Sequence, residues 1–327
     1  MRIFLLTWMF CAASALTAQT NGTLIVVNQK QHAVDLVDPT GGKLLTAINV
    51  GVNGHEIVLS KDGRLAYVPI YSNVGVGKPG TNGQFIDVID LKQAKVIKSI
   101  DLGHPVRPHK PLFGPDGLLY VSAELDNAID IVNPKTDKVV GQIPTGAPQS
   151  HVFGISPDGR HAYTANVGDG SMSVLDLKTR KLLKVIPLTK TVQRVAISND
   201  NRWVFTSDWD NPRVAVIDAQ TNTLSRWIPT EGTPYVTQPT PDGRYLLVGH
   251  PHAGLGRDQH DRARAEVGDL VAEVGRRLAG TEADALWQGV VDEAHAPHLP
   301  LPVPLPARQV AESVAWRLLR LGNAVRS

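Results

Sequence analysis

A tetrad built on Asp-Gly recurs along this chain: Ser60-Lys61-Asp62-Gly63, Gly114-Pro115-Asp116-Gly117, Ser156-Pro157-Asp158-Gly159, Ser198-Asn199-Asp200-Asn201 and Thr240-Pro241-Asp242-Gly243. Its Asp residues are 54, 42, 42 and 42 positions apart. A period of that size marks supersecondary units that cannot bury their apolar faces alone and must stack on their neighbours. It therefore has to be settled before any residue is read as chemistry.

Each tetrad follows a short apolar run such as Val152-Phe153-Gly154-Ile155. It precedes a second run carrying an aromatic, as in Ala66-Tyr67-Val68, Leu119-Tyr120-Val121, Ala162-Tyr163-Thr164 and Val204-Phe205-Thr206. Two alternating runs joined by Asp-Gly are a hairpin. A third run ends in Asp or Asn, as in Ile86-Asp87-Val88-Ile89-Asp90 and Ile129-Asp130-Ile131-Val132-Asn133. A fourth opens on Lys, as in Lys95-Val96-Ile97 and Lys138-Val139-Val140. Four antiparallel strands in about 42 residues are one blade of a β-propeller. The five turn Asp residues are thus expected to shape turns and not to catalyse. Asn201 stands where the others have glycine, which suits a residue that enters left-handed backbone readily.

The pattern SPDGRHAYTANVGDGSMSVLDLKTRKLLKVI at 156–186, repeated as SNDNRWVFTSDWDNPRVAVIDAQTNTLSRWI at 198–228, resembles the YVTN-type β-propeller repeat family. Its members usually have seven blades. Tyr67-Val68-Pro69-Ile70 and Tyr120-Val121-Ser122-Ala123 approximate the signature, whereas Tyr163-Thr164-Ala165-Asn166 departs at its second place. The resemblance covers residues 24–249. Comparable propellers include periplasmic and surface-layer proteins, six-phosphogluconolactonase-like proteins and the heme d1 domain of nitrite reductase.

The expected fold is all-β, a propeller of four-stranded antiparallel blades that is incomplete. The chain enters at a second strand, Leu24 to Asn28, and four full units follow. The repeats, placed at 21–250, stop at His250-Pro251-His252. Residues 251–327 contain arginine but no Lys, Ile or Tyr. This stretch is expected to be a partly helical or disordered tail outside the propeller. Val267, Leu270, Val271, Val274 and Leu278 recur at helical spacing, and Val310 to Leu321 reads as a second helix. An appendage covering the open edge, a disordered tail and a reading-frame change all account for it.

The formal charge of +2 gives no reason to expect a nucleic acid partner. Residues 1–18 have the layout of a signal peptide: Arg2, an apolar run, then Ala13-Ser14-Ala15 and Thr17-Ala18. Cys11, the one cysteine, lies inside it, so the mature chain has no disulfide. A periplasmic or secreted protein with no stable membrane span after cleavage is expected.

Aligned on the turn, His55, His109 and His151 each stand seven residues before the Asp, with Gln193 and Tyr235 at the same phase of the next two units. That phase begins the innermost strand, where blades converge on the axis. Three imidazoles meeting there can hold a divalent Zn, Cu or Fe ion. Glu56 and Arg194, adjacent to His55 and Gln193, are further ligand-binding candidates, and Arg107-Pro108-His109-Lys110 adds positive charge suited to an anion. The leading expectation is an exported scaffold or ligand-binding propeller taking a small molecule or protein at its mouth. A metal-dependent lactonase-like hydrolase and, behind it, a heme d1-like oxidoreductase domain are the alternatives. Residues 72–84, SNVGVGKPGTNGQ, are an insertion between the second and third strands of their unit. N-terminal sequencing of the mature protein is expected to begin near Gln19 or Leu16; recovery with Met1 intact would reject export by cleavage.

Overall fold

Runs rich in Val and Ile, broken every few residues by Asp-Gly or Asn, favour paired strands over helices. The computed structural model describes residues 22–38, 42–251 and 314–320. Among these are six antiparallel sheets and a single short 3-10 turn, Glu124–Asp126. The first sheet has three strands, Leu24–Asn28, Ala33–Asp38 and Lys43–Asn49. Four four-stranded meanders follow. They run from Val58–Leu59 to Lys95–Asp101, from Pro108–Phe113 to Lys138–Pro144, from Ser150–Ile155 to Lys181–Pro187, and from Val192–Ile197 to Thr223–Pro229. The sixth sheet joins Val236–Pro239, Tyr245–Pro251 and Val314–Arg320. This is a β-propeller.

The signal segment and the helix expected around Val267 to Leu278 lie outside the described residues. Where a helix was expected over Val310 to Leu321, the chain instead forms the strand Val314–Arg320, antiparallel to Tyr245–Pro251 with Tyr245 opposite Arg320. The physical reason is the free edge of the sixth sheet. A strand with one side unpaired offers a row of backbone donors and acceptors, and pairing with them outweighs local helical spacing.

The tetrads act as turns. Ser60 Oγ donates to Asp62 Oδ1 at 2.6 Å, the same oxygen accepts the Arg64 N–H at 3.2 Å, and Ser60 Oγ accepts the Leu65 N–H at 2.9 Å. Ser156 with Asp158, Ser198 with Asp200, and Thr240 with Asp242 repeat this arrangement. Gly114 has no hydroxyl, and there Asp116 takes the Leu118 N–H and the Tyr120 hydroxyl instead. The fourth turn residue is left-handed each time, with φ of 66, 75, 69 and 65° at Gly63, Gly117, Gly159 and Gly243 and 60° at Asn201.

Among the described residues the core is divided into five layers between sheets. Val34 and Ile48 meet Val68 and Ile89; Ile86 and Val88 meet Leu119 and Val121; Ile129 and Ile131 meet Phe153 and Leu175. Tyr163 and Val174 then meet Ala215 and Ile217, and Phe205 and Val216 meet Leu246 and Val248. Outer strands leave apolar side chains such as Leu44, Leu45, Val140 and Leu183 exposed, while inner strands of successive blades touch one another. Packing therefore brings the starts of the inner strands together. Phe205→Ala, which empties a fully buried position, is expected to lower unfolding stability by about 3–5 kcal/mol in denaturant titrations, whereas exposed Leu45→Ala changes it by less than about 0.5 kcal/mol.

Candidate functional site

The innermost strands are irregular where they carry polar residues. In the third sheet Pro108 faces Ala123 and Pro111 faces Val121, so His109 and Lys110 together oppose Ser122 alone. In the fourth, Ser150 faces Asn166 and Val152 faces Ala165, which leaves His151 as the extra residue. In the fifth, Gln193 faces Ser207 and Ala196 faces Phe205, so Arg194 and Val195 oppose only Thr206. Each is a β-bulge, a device that re-aims a side chain. Hydroxyls opposite hold two of them. Ser122 Oγ accepts the Lys110 N–H at 2.9 Å and donates to the His151 carbonyl at 2.7 Å, and Thr206 Oγ1 donates to the Arg194 carbonyl at 2.7 Å.

The residue two before each histidine is left-handed: Asn53, Arg107 and Gln149, with φ of 57, 53 and 54°. Such a conformation costs a non-glycine residue of order 1–3 kcal/mol, and three blades repeat it at one phase. It turns the chain into the inner strand at the height that brings the imidazoles together.

His55, His109 and His151 do converge. Ring centroids lie 4.0 Å apart for His55 and His109, 3.6 Å for His109 and His151, and 6.3 Å for His55 and His151. Tyr71 covers the group edge-on, 5.2, 5.3 and 5.8 Å from the three rings in that order. His109 is fully buried, and among the described residues neither ring nitrogen has a hydrogen-bond partner. Its pKa is depressed well below the usual histidine range, first by burial and then by its cationic and imidazole neighbours, so it is neutral at pH 7.

Two buried carboxylates flank the rings. Glu56 accepts Lys110 Nζ at 2.8 Å on one oxygen and Arg194 Nη1 on the other. Burial alone would raise its pKa, but the two cations overcome this and hold it well below the carboxylate range. Arg194 also donates from Nη2 to the Tyr235 hydroxyl at 3.2 Å, with its guanidinium over that ring and Trp209 packed edge-on against it.

Glu124 receives the Tyr71 hydroxyl and His151 Nδ1, the latter at 3.2 Å, on one oxygen. Its other oxygen is 3.6 Å from Arg107 Nη1. Burial pushes the Glu124 pKa up, and these donors bring it below the ordinary value, so it stays ionised. A carboxylate can only accept, so His151 donates to it from Nδ1.

His55, Glu56 and His109 present ligand atoms all within 4.8 Å of one another. His151 adjoins them in ring contact and stands outside that group. Gln193 is buried beside Arg194, and its Oε1 has no partner among the described residues. Sequence phase thus located the imidazoles, Glu56, Arg194 and Tyr235, and missed Tyr71, Glu124 and Trp209. A signal was available. Each stands four residues after its blade's strand aromatic, Tyr67, Tyr120 or Phe205, so they share one phase of their units. Burial of a polar side chain does not itself mark a site. Buried Asn166, for example, serves only to tie Ser150, Thr164, Ser171 and Ser173 together.

A model of the Cytochrome D1 heme domain family matches residues 113–253, under half of the chain. That is a different family from the YVTN-type repeat family. The matched stretch includes His151, Gln193, Arg194 and Tyr235 but not His55, Glu56 or His109. Among solved structures the chain is similar to Kuenenia stuttgartiensis hydrazine synthase, with 21% identity and a TM-score of 0.60 over 70% of this chain and 71% of that one. This likeness is one of fold. No curated protein matches the chain. Among the described residues no helix is long and apolar enough to cross a membrane.

The unfolded-state pKa of histidine is about 6.5. Because the folded value at His109 is lower, its neutral burial contributes stability fully above about pH 6.5 that is lost as pH falls toward the folded value. Thermal midpoints of metal-free protein are expected to be level between about pH 7.5 and 6.5 and to drop below that. A midpoint unchanged to pH 5.5 would contradict a neutral, buried His109.

Proposed function

We propose that this chain is an exported propeller that binds a divalent transition-metal ion at the mouth of its axial funnel. His55 and His109 supply nitrogens, Glu56 supplies a carboxylate oxygen, and His151 stands by as a further ligand. The observation that carries the reading is His109: a neutral imidazole, fully buried, whose two ring nitrogens have no partner among the described residues. A buried polar group left unpaired costs about 1–3 kcal/mol, and a metal bond removes that cost for the nitrogen that carries the lone pair. Ligating histidine must be deprotonated, which burial here ensures. The Glu124 contact to His151 Nδ1 has the form of the carboxylate that orients a metal-bound imidazole.

The heme-domain match favours a second reading, in which the metal is the iron of a heme-type group. The residues present fit that group poorly. Ring centroids 3.6 and 4.0 Å apart leave no slot for a macrocycle between the imidazoles, and His109 has no exposed face. The site as built suits a bare ion, and no redox step is assigned to it.

The heme-domain family match and the signal-like first residues support a periplasmic or secreted location. A bare scaffold would not need two buried carboxylates, two buried arginines and the half-buried Lys110 around the unpartnered nitrogens of His109, which is why ligand binding is preferred. Elemental analysis after dialysis against Zn, Cu or Fe(II) is expected to show close to one ion per chain. His109→Ala should lose at least about tenfold in affinity, and His161→Ala should keep it. Absence of stoichiometric metal would reject the ion reading, and a heme absorption band in the purified protein would favour the second.

A further inference from the structure

The insertion at residues 72–84 builds one wall of a cavity of about 450 Å³, whose other wall is Arg107, Leu125 and Gln149. The insertion is clamped. Ser72 pairs with Asn82 as a bridge, Ser72 Oγ donates to the Thr81 carbonyl at 2.6 Å, and the Thr81 N–H donates to Asn73 Oδ1 at 2.8 Å. Arg107 then ties the loop to the third blade, donating from Nε to Asn82 Oδ1 at 2.6 Å and from Nη2 to the Lys78 carbonyl at 2.7 Å. The guanidinium is thereby fixed at the cavity floor, buried, on a backbone held left-handed.

We infer that this cavity binds a small molecule bearing a carboxylate or phosphate, separately from the imidazole cluster. Its volume lies within the range of about 300–1,000 Å³ usual for small-molecule sites. Its charge is positive where a ligand can reach. Lys78 is exposed at the rim and forms no ion pair among the described residues. Glu124, the one acid in the lining, is 1% exposed, and its oxygens face Tyr71, His151, Arg107 and the Gly77 N–H. Arg107 has five N–H groups, and its contacts to Asn82, Lys78 and Glu124 leave some for an oxyanion. Leu125, 43% exposed, offers an apolar patch for the rest of the molecule. The site is built by a loop that the first, third, fourth and fifth sheets lack among the described residues, and Glu124 connects it to His151.

The test is calorimetric titration of the full chain at low salt with inorganic phosphate and, separately, malonate. Saturable binding of at least one is expected, and which one binds distinguishes a phosphate from a carboxylate ligand. Lys78→Met and Leu125→Trp, the latter filling the cavity without changing charge, are expected to weaken it by about tenfold or more. Both variants should retain metal stoichiometry, so this inference and the metal reading fail separately. His109→Ala should leave anion affinity within about twofold. No saturable binding of either anion, or equal binding in wild type, Lys78→Met and Leu125→Trp, would overturn the inference. Loss in His109→Ala alone would move the anion to the imidazoles and overturn it equally.

Discussion

Glu56 is the charge on which the mouth of this propeller depends. It belongs to the second sheet's inner segment, yet its two oxygens are taken by Lys110 of the third sheet and Arg194 of the fifth, 138 residues away in sequence. The contact therefore spans the axis. Glu56 and Arg194 leave water to make it while Lys110 stays part exposed, and removing one partner of such a buried pair typically costs about 3–5 kcal/mol. The same geometry places two fixed cations beside the imidazoles and helps keep His109 neutral.

Glu124 plays the matching part on the other side. One carboxylate binds Tyr71 from the second blade, His151 from the fourth and Arg107 from the segment leading into its own blade. It lies at the start of the 3-10 turn Glu124–Asp126, which ends at Asn127 in left-handed conformation, and Asn127 Oδ1 in turn accepts the Gln149 N–H at 3.0 Å. The imidazole cluster and the anion cavity thus share a residue, and through it the inserted loop is coupled to the centre of the ring.

Bulges connect this chemistry to the fold. A regular inner strand would alternate its side chains between neighbouring blades. The extra residue at His109-Lys110, at His151 and at Arg194-Val195 redirects polar side chains toward the mouth, and apolar alternation resumes further along each strand. The interblade cores stay dry because the irregularity is confined to the strand starts.

The blade was legible in the sequence because its determinants are local. An Asp that binds the N–H two residues on, a glycine or Asn at positive φ, and apolar alternation all act within a few residues, and the 42-residue spacing repeats them. The shared phase of His55, His109 and His151 was legible for the same reason, since equivalent positions in stacked units must lie at one height. Which groups meet at that height was decided by tertiary structure. Nothing near Glu56 in sequence names Arg194 as its partner, and nothing near Glu124 announces Tyr71, because these pairings follow from how far each blade is rotated from the next. The strand Val314–Arg320 shows the limit from the other direction. Its helical spacing was a local signal, and the unpaired edge of a distant strand overrode it through backbone hydrogen bonds that no window of sequence contains.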